Sequence, residues 1–163
     1  MRHLISILLQ NESGALARVA SMFASRGFNI ESLSVAPTDD ETVSRLTLVT
    51  TGTESVVQQI NKQLAKLIDV VAIADRTDSD DFERELALLK FAVAPERRAS
   101  FSEHLGRYGA RILDDHPAHL TIEVVGDERT VDAFLEGVPE GAELVSVVRS
   151  GPMVIGRGER SLF

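Results

Sequence analysis

The sequence predicts an α+β chain of two successive βαββαβ units, each an antiparallel four-stranded sheet with both helices on one face, the ferredoxin-like arrangement. Three observations predict it. Over residues 1–75 the hydrophobic period switches between two and 3.6 in the order strand, helix, strand, strand, helix, strand. A charge-dense, apolar-poor stretch at 76–85 then interrupts the pattern. The same order returns, fainter, over residues 86–163, which are read as a second ferredoxin-like unit closing in a flexible tail.

The first strand is Leu4 to Leu9, apolar on both sides as an interior strand requires. Leu16, Val19, Ala20 and Phe23 recur at helical steps, so 15–26 is expected to be an amphipathic helix, with Gly27 as its stop. Two extended runs, 29–37 and 43–51, flank the turn-forming Pro37-Thr38-Asp39-Asp40-Glu41 and read as a hairpin. Ile30 breaks phase with Leu33 and Val35, which suggests a bulge or a two-sided environment. Val56, Val57, Ile60, Leu64 and Leu67 form the stripe of a second helix behind an N-cap at Thr53. The run Val70 to Ala74 completes the unit.

Beyond the linker, Leu86 to Val93 reads as a strand, and Phe101, Leu105 and Tyr108 as a helix ended by Gly109. Strands at 110–115 and 119–126 flank His116-Pro117-Ala118. A helix carrying Val131, Phe134, Leu135 and Val138 and a strand from Leu144 to Val148 follow.

Charge and composition exclude several functions. The formal net charge of −8 repels nucleic acid and anionic membranes, and with no Trp and one Tyr the strands lack the aromatics that stack on RNA bases. The absence of cysteine removes disulfides, thiolate metal sites and cysteine nucleophiles. The apolar run at the N-terminus is too short to span a bilayer and lacks a small-residue cleavage site, so a cytoplasmic protein is expected.

No catalytic constellation assembles. No serine sits in a Gly-x-Ser-x-Gly elbow, and the carboxylates gather in a hairpin turn and the linker. Asp114-Asp115-His116-Pro117-Ala118-His119 resembles a metal cluster, but strand geometry sends neighbouring side chains to opposite faces, so a polar turn is preferred and no metal site is assigned. Gly151…Gly156-Arg157-Gly158 lacks the helix and the Lys-Ser/Thr pair of a phosphate loop. His3 and His104 read as ordinary surface positions.

The strongest local feature is Gln10-Asn11-Glu12-Ser13-Gly14-Ala15-Leu16, where the first strand meets the first helix. A helix N-terminus offers unpaired N–H groups and partial positive charge to a carboxylate. Gly14 admits a ligand close to the backbone, Asn11 supplies an amide, and Ala15 and Leu16 can enclose a short aliphatic group. Turn and cap chemistry alone also accounts for Asn, Ser and Gly in such a loop, and for Asn29 after Gly27-Phe28, so the residues by themselves leave both readings open.

The strings Asn11-Glu12-Ser13-Gly14-Ala15-Leu16-Ala17-Arg18-Val19, Arg26-Gly27-Phe28-Asn29-Ile30-Glu31-Ser32-Leu33 and Ser34-Val35-Ala36-Pro37-Thr38 resemble the regulatory (small) subunit of acetohydroxyacid synthase, also called acetolactate synthase. Ser44-Arg45-Leu46-Thr47, Gln58 to Leu67, Arg84 to Lys90 and Arg149-Ser150-Gly151 continue the likeness across almost the whole chain. Asp115 and Pro139-Glu140-Gly141 depart from the family's pattern.

The resemblance implies an ACT domain over residues 1–75 that binds effector and dimerises, an acidic linker at 76–85 and a C-terminal domain at 86–163. It implies a chain without catalytic residues of its own. Such a chain binds and activates a large catalytic subunit and confers feedback inhibition by valine in branched-chain amino acid biosynthesis. Thiamine diphosphate, Mg and FAD are expected only in that partner. ACT domains of the family pair side by side as a homodimer with valine in the seam. Carried over by position, Asn11, Gly14, Ala15 and Leu16 of one protomer would meet Asn29 and Ile30 of its partner. The alternative is a free-standing ACT-domain amino-acid sensor for another pathway, and a small enzyme on the same fold is a more distant rival.

Overall fold

The computed structural model describes residues 1–159. They form two compact units: residues 1–82 together with the closing segment from Pro152, and residues 83–151.

The first unit follows the expected order: β1 (Arg2–Gln10), α1 (Ala15–Ser25), β2 (Ser32–Pro37), β3 (Val43–Thr51), α2 (Glu54–Leu64) and β4 (Val70–Asp75). Its strands are ordered β2-β3-β1-β4 and all pair antiparallel, so β2 and β4 are the edges. Alternation sends Ile5, Ile7 and Leu9 of β1 and Leu46 and Leu48 of β3 to one face. There they meet Val19, Met22 and Phe23 of α1 and Val57, Ile60 and Leu64 of α2. Burying each such aliphatic or aromatic side chain contributes about 1.5–3 kcal/mol, which is why this face fixes the register. The helix ends where Gly27 takes a left-handed φ of 68° and Phe28 N–H donates back to Phe23 O at 3.0 Å. Thr53 occupies the cap position of α2 with extended backbone, though its side chain makes no capping bond.

Residues 29–31, expected to open the second strand, stand outside the ladder. β2 begins at Ser32, and Ile30 packs into the core from the segment before it. The break in phase at Ile30 marks the end of a connection, not a bulge.

The second unit repeats the plan with β5 (Phe82–Val93), α3 (Arg98–Tyr108), β6 (Arg111–His116), β7 (His119–Gly126), α4 (Glu128–Glu136) and β8 (Ala142–Arg149). Its strand order is β6-β7-β5-β8. Phe91, Phe101 and Phe134 are wholly buried at its centre.

Three expectations need correction. The linker is shorter than 76–85, because strand begins at Phe82. Glu85, counted among the solvated carboxylates, is 3% exposed and paired with Arg149, a partner 64 residues away that local composition cannot reveal. Residues 76–81 are also tied down. Arg76 N–H donates to Leu4 O at 2.8 Å, and Thr77 donates through N–H and Oγ1 to Asp75 Oδ1.

The closing segment belongs with the first unit, where it was expected to be a flexible tail of the second. Met153–Ile155 forms a short strand, β9, and Val154 is buried with Leu4 and Val49. Farther on, Arg157 stacks 4.0 Å over the ring of Phe82 and pairs with Asp80 at 3.1 Å. Residues 160–163 of that expected tail lie outside the described residues.

The third correction concerns the histidines expected at the surface. His3 is wholly buried, with its ring nitrogens 3.3 Å from Thr77 Oγ1 and Gly52 O. His104 is buried against Phe134, its ring 4.5 Å from that ring and Nε2 2.9 Å from Phe134 O. Both find polar partners far along the chain, which satisfies an otherwise costly burial.

Candidate functional site

The loop from Gln10 to Gly14 carries β1 into α1, and its geometry is set by two hydrogen bonds from Asn11 and by the backbone of Gly14. Asn11 N–H donates to Thr42 O at 2.7 Å, and Asn11 Nδ2 donates to Glu41 O at 2.9 Å, so this amide ties the loop to the β2–β3 turn. Gly14 caps α1 with a left-handed φ of 88°, the conformation that favours glycine. A Cβ at Gly14 would sit 2.9 Å from Arg18 Nη1, so the absence of a side chain also makes room for that guanidinium.

Arg18 is the residue the sequence reading quoted without assigning a role. Its Nε donates to Asp69 Oδ2 at 2.5 Å and its Nη2 to Asp69 Oδ1 at 2.8 Å, a bidentate fork. Nη1 takes no part in that fork and lies over Gly14. The hydrogen bond to Arg18 holds the Asp69 carboxyl below its ordinary range, and the same bond raises Arg18. Asp69 O in turn accepts from Gln10 N–H at 2.8 Å, so the strand end, helix start and β4 approach are locked together. One signal was available in advance: Arg18 stands four residues after Gly14, one helical turn on, on the same face.

The rim of this loop is divided. Ala15 is buried at 1% exposure and belongs to the core, whereas Leu16 is 40% exposed and presents an aliphatic surface beside the helix start. An anion arriving here would meet first-turn N–H groups, the helix dipole, Arg18 Nη1 and an apolar side chain.

Asn29 and Ile30 lie elsewhere. Asn29 is exposed, and its carbonyl accepts from Thr50 Oγ1 at 2.6 Å. Ile30 is half-buried against its own core. Asn11 is fastened at Thr42 and Asn29 at Thr50, eight residues apart along β3. At about 3.3 Å per residue that is ~26 Å. The two groups of expected site residues therefore occupy opposite ends of one sheet, and the fold does not bring them together within a single chain.

The Asp114–His119 cluster is a hairpin turn. Arg98 pairs with Asp115, its Nη2 donates to His116 O at 2.5 Å, and His116 Nδ1 accepts from Ala118 N–H at 3.2 Å. Among the described residues no group of three or more His, Asp or Glu side chains is placed to hold a metal ion. No helix among them is long and apolar enough to cross a membrane.

The first unit is a βαββαβ fold with a left-handed glycine at the start of its first helix, and residues 5–72 match the family described as the AHAS small subunit-like ACT domain, so the unit is an ACT domain. Residues 84–158 match the family described as the small subunit of acetolactate synthase. Across 160 residues the chain is 42% identical to the acetolactate synthase isozyme 3 small subunit of Escherichia coli, covering 98% of each. It is 40% identical over 160 residues to a probable acetolactate synthase small subunit of Archaeoglobus fulgidus, covering 98% of this chain and 99% of that one. The crystal structure of the acetolactate synthase small subunit from Thermotoga maritima superposes with a TM-score of 0.86 at 30% identity, over 98% of this chain and 99% of that one. The chain belongs to the acetolactate synthase small-subunit family.

Proposed function

We propose that the chain is a regulatory subunit whose paired ACT domains hold valine in the seam between two copies. The observation that carries this reading is the placement of the site residues at opposite ends of the sheet. A two-fold axis that sets the β2 edges of two copies antiparallel brings the Asn11–Leu16 end of one chain beside the Asn29–Ile30 end of its partner. An edge strand needs a cover, and a second β2 supplies it. In the composite site the valine carboxylate meets the α1 N-terminus and Arg18 Nη1. Its ammonium meets the amide oxygen of Asn11, and its side chain packs on Leu16 and on Ile30 of the partner. Asn29 of the partner adds an amide.

Binding across a seam couples occupancy to the orientation of the two chains, provided valine prefers one arrangement. A preference of about 1–3 kcal/mol gives a 5- to 150-fold coupling. On this reading the chain has no catalytic residues. It binds the large catalytic subunit, which carries thiamine diphosphate, Mg and FAD. It raises that subunit's activity and confers feedback inhibition by valine in the cytoplasmic synthesis of valine, leucine and isoleucine. Nucleic acid and membranes have no part in it.

Titration calorimetry of the full chain with valine, leucine and isoleucine at millimolar concentration tests the sensor role, with saturable heat for valine expected. Leu16→Asp should abolish that heat, since it sets a carboxylate beside the ligand's own. It is a cleaner probe than Gly14→Asp, which would also force a left-handed backbone position to carry a side chain against Arg18. No heat with any of the three amino acids, or undiminished heat in Leu16→Asp, would overturn the reading. Co-purification with the large subunit tests the partnership.

A further inference from the structure

The sheet of the first unit has two faces, and α1 and α2 cover only one. Alternation sends Leu4 and Ser6 of β1, and Arg45, Thr47 and Val49 of β3, to the other face. The closing segment lies there, with Val154 buried against Leu4 and Val49. Beside that contact is a cavity of about 320 Å³, at the small end of the range for ligand pockets. Ala36, Asp39, Arg45 and Thr47 of the β2–β3 hairpin form one wall, and Met153 and Val154 the other.

The lining carries one cationic group, Arg45, one anionic group, Asp39, and three hydroxyls, those of Ser34, Thr38 and Thr47, with the remaining wall apolar. A simple carboxylate would suit Arg45 but face Asp39, and a simple amine would have the reverse problem. A molecule bearing both charges at one end and a short apolar body satisfies the whole set. The two walls differ in mobility of access: Val154 is fixed in its cluster, while Met153 is 55% exposed and can swing without disturbing the core.

We propose that this cavity is a second small-molecule site, taking a compact α-amino acid as its zwitterion. It shares no residue with the α1 loop, so it stands whether or not valine binds in the seam. Because its walls come from the hairpin and from the closing segment, occupancy would clamp the C-terminal strand to the ACT sheet.

The chain has three methionines, Met1, Met22 and Met153, so methyl-labelled methionine gives three resolvable NMR signals in the full-length protein. Glycine, L-alanine and pyruvate are the probes, all smaller than the valine assigned to the seam. At least one of the amino acids should shift the Met153 methyl saturably, and the oxo acid, which lacks the ammonium, should not. Arg45→Gln and the cavity-filling Ala36→Phe should each weaken that response about tenfold or more. Leu16→Asp should leave it unchanged, which separates this site from the seam. Three results would overturn the proposal: a Met153 signal unmoved by both amino acids up to about 20 mM, an equal response to the oxo acid, or an undiminished response in Ala36→Phe.

Discussion

The two units share one plan but differ where the first strand meets the first helix. In the first unit that junction is Asn11-Glu12-Ser13-Gly14, with a left-handed glycine cap and a guanidinium at the helix start. In the second it is Ala94-Pro95-Glu96-Arg97, a tight 3₁₀ turn whose Pro95 has no N–H to offer. The helix that follows is capped by Arg97 without a side-chain hydrogen bond. The same fold thus places a glycine and a guanidinium at the helix start once and a proline turn there once. The two junctions therefore differ in loop residues and not in scaffold, and any ligand chemistry must come from the residues a βαββαβ unit carries.

The comparison breaks most sharply in the cores. Phe134→Ala removes a wholly buried ring that lies 4.5 Å from His104 and 5.3 Å from Tyr108, and should destabilise the second unit by about 3–5 kcal/mol. Valine binding should survive it at temperatures where the protein stays folded. Phe23→Ala, an equal truncation beneath α1, should abolish valine binding together with a comparable loss in chemical denaturation.

Smaller changes at glycine should have opposite signs in the two units. Gly14→Ala forces a left-handed residue to carry a Cβ 2.9 Å from Arg18, so about 1–2 kcal/mol of stability should be lost. Gly106, inside α3, has nothing within 4 Å of its would-be Cβ, and Gly106→Ala should gain about 0.5–1 kcal/mol. Asp127 caps α4 by accepting from Thr130 N–H at 2.8 Å, and Asp127→Ala should cost about 1 kcal/mol, read in the same denaturation experiment.

A last contrast is confined to acid. Arg18 holds Asp69 below its ordinary range, so the carboxylate's contribution is fully present above about pH 4. It is lost as pH falls through the depressed value in the folded protein. The stability gap between the parent chain and Asp69→Asn should therefore be flat from pH 7 to about 5 and should close below about pH 4. A gap that instead widened in acid would contradict the Arg18–Asp69 assignment.

Much of this was legible in the residues. The 3- and 4-residue spacing of Val19, Ala20 and Phe23 and the alternation of Leu46 and Leu48 gave the elements of the first unit, because one buried face imposes one period. What escaped was non-local. Glu85 reads as a linker carboxylate until Arg149 arrives beside it, and His3 reads as surface until Thr77 and Gly52 close over it. Val154 lies in a glycine-rich tail, and nothing nearby indicates that Leu4 and Val49 will bury it. At the candidate site, helix-end chemistry pointed to the Asn11–Leu16 loop, and family likeness added Asn29 and Ile30. Their separation to opposite ends of the sheet is a property of strand register and could not be read from spacing.

The central claim is that each valine site takes half its residues from each of two chains. Mixing two defective proteins tests it. Leu16→Asp spoils the loop half and Asn29→Ala the opposite half, so neither should bind valine alone. After unfolding and joint refolding at equal amounts, about half the dimers should contain one chain of each kind, and each of these rebuilds one intact site. Calorimetry should then recover about a quarter of the parent's valine-binding capacity. No recovery from the mixture, or full binding by either variant alone, would contradict a site shared between two chains.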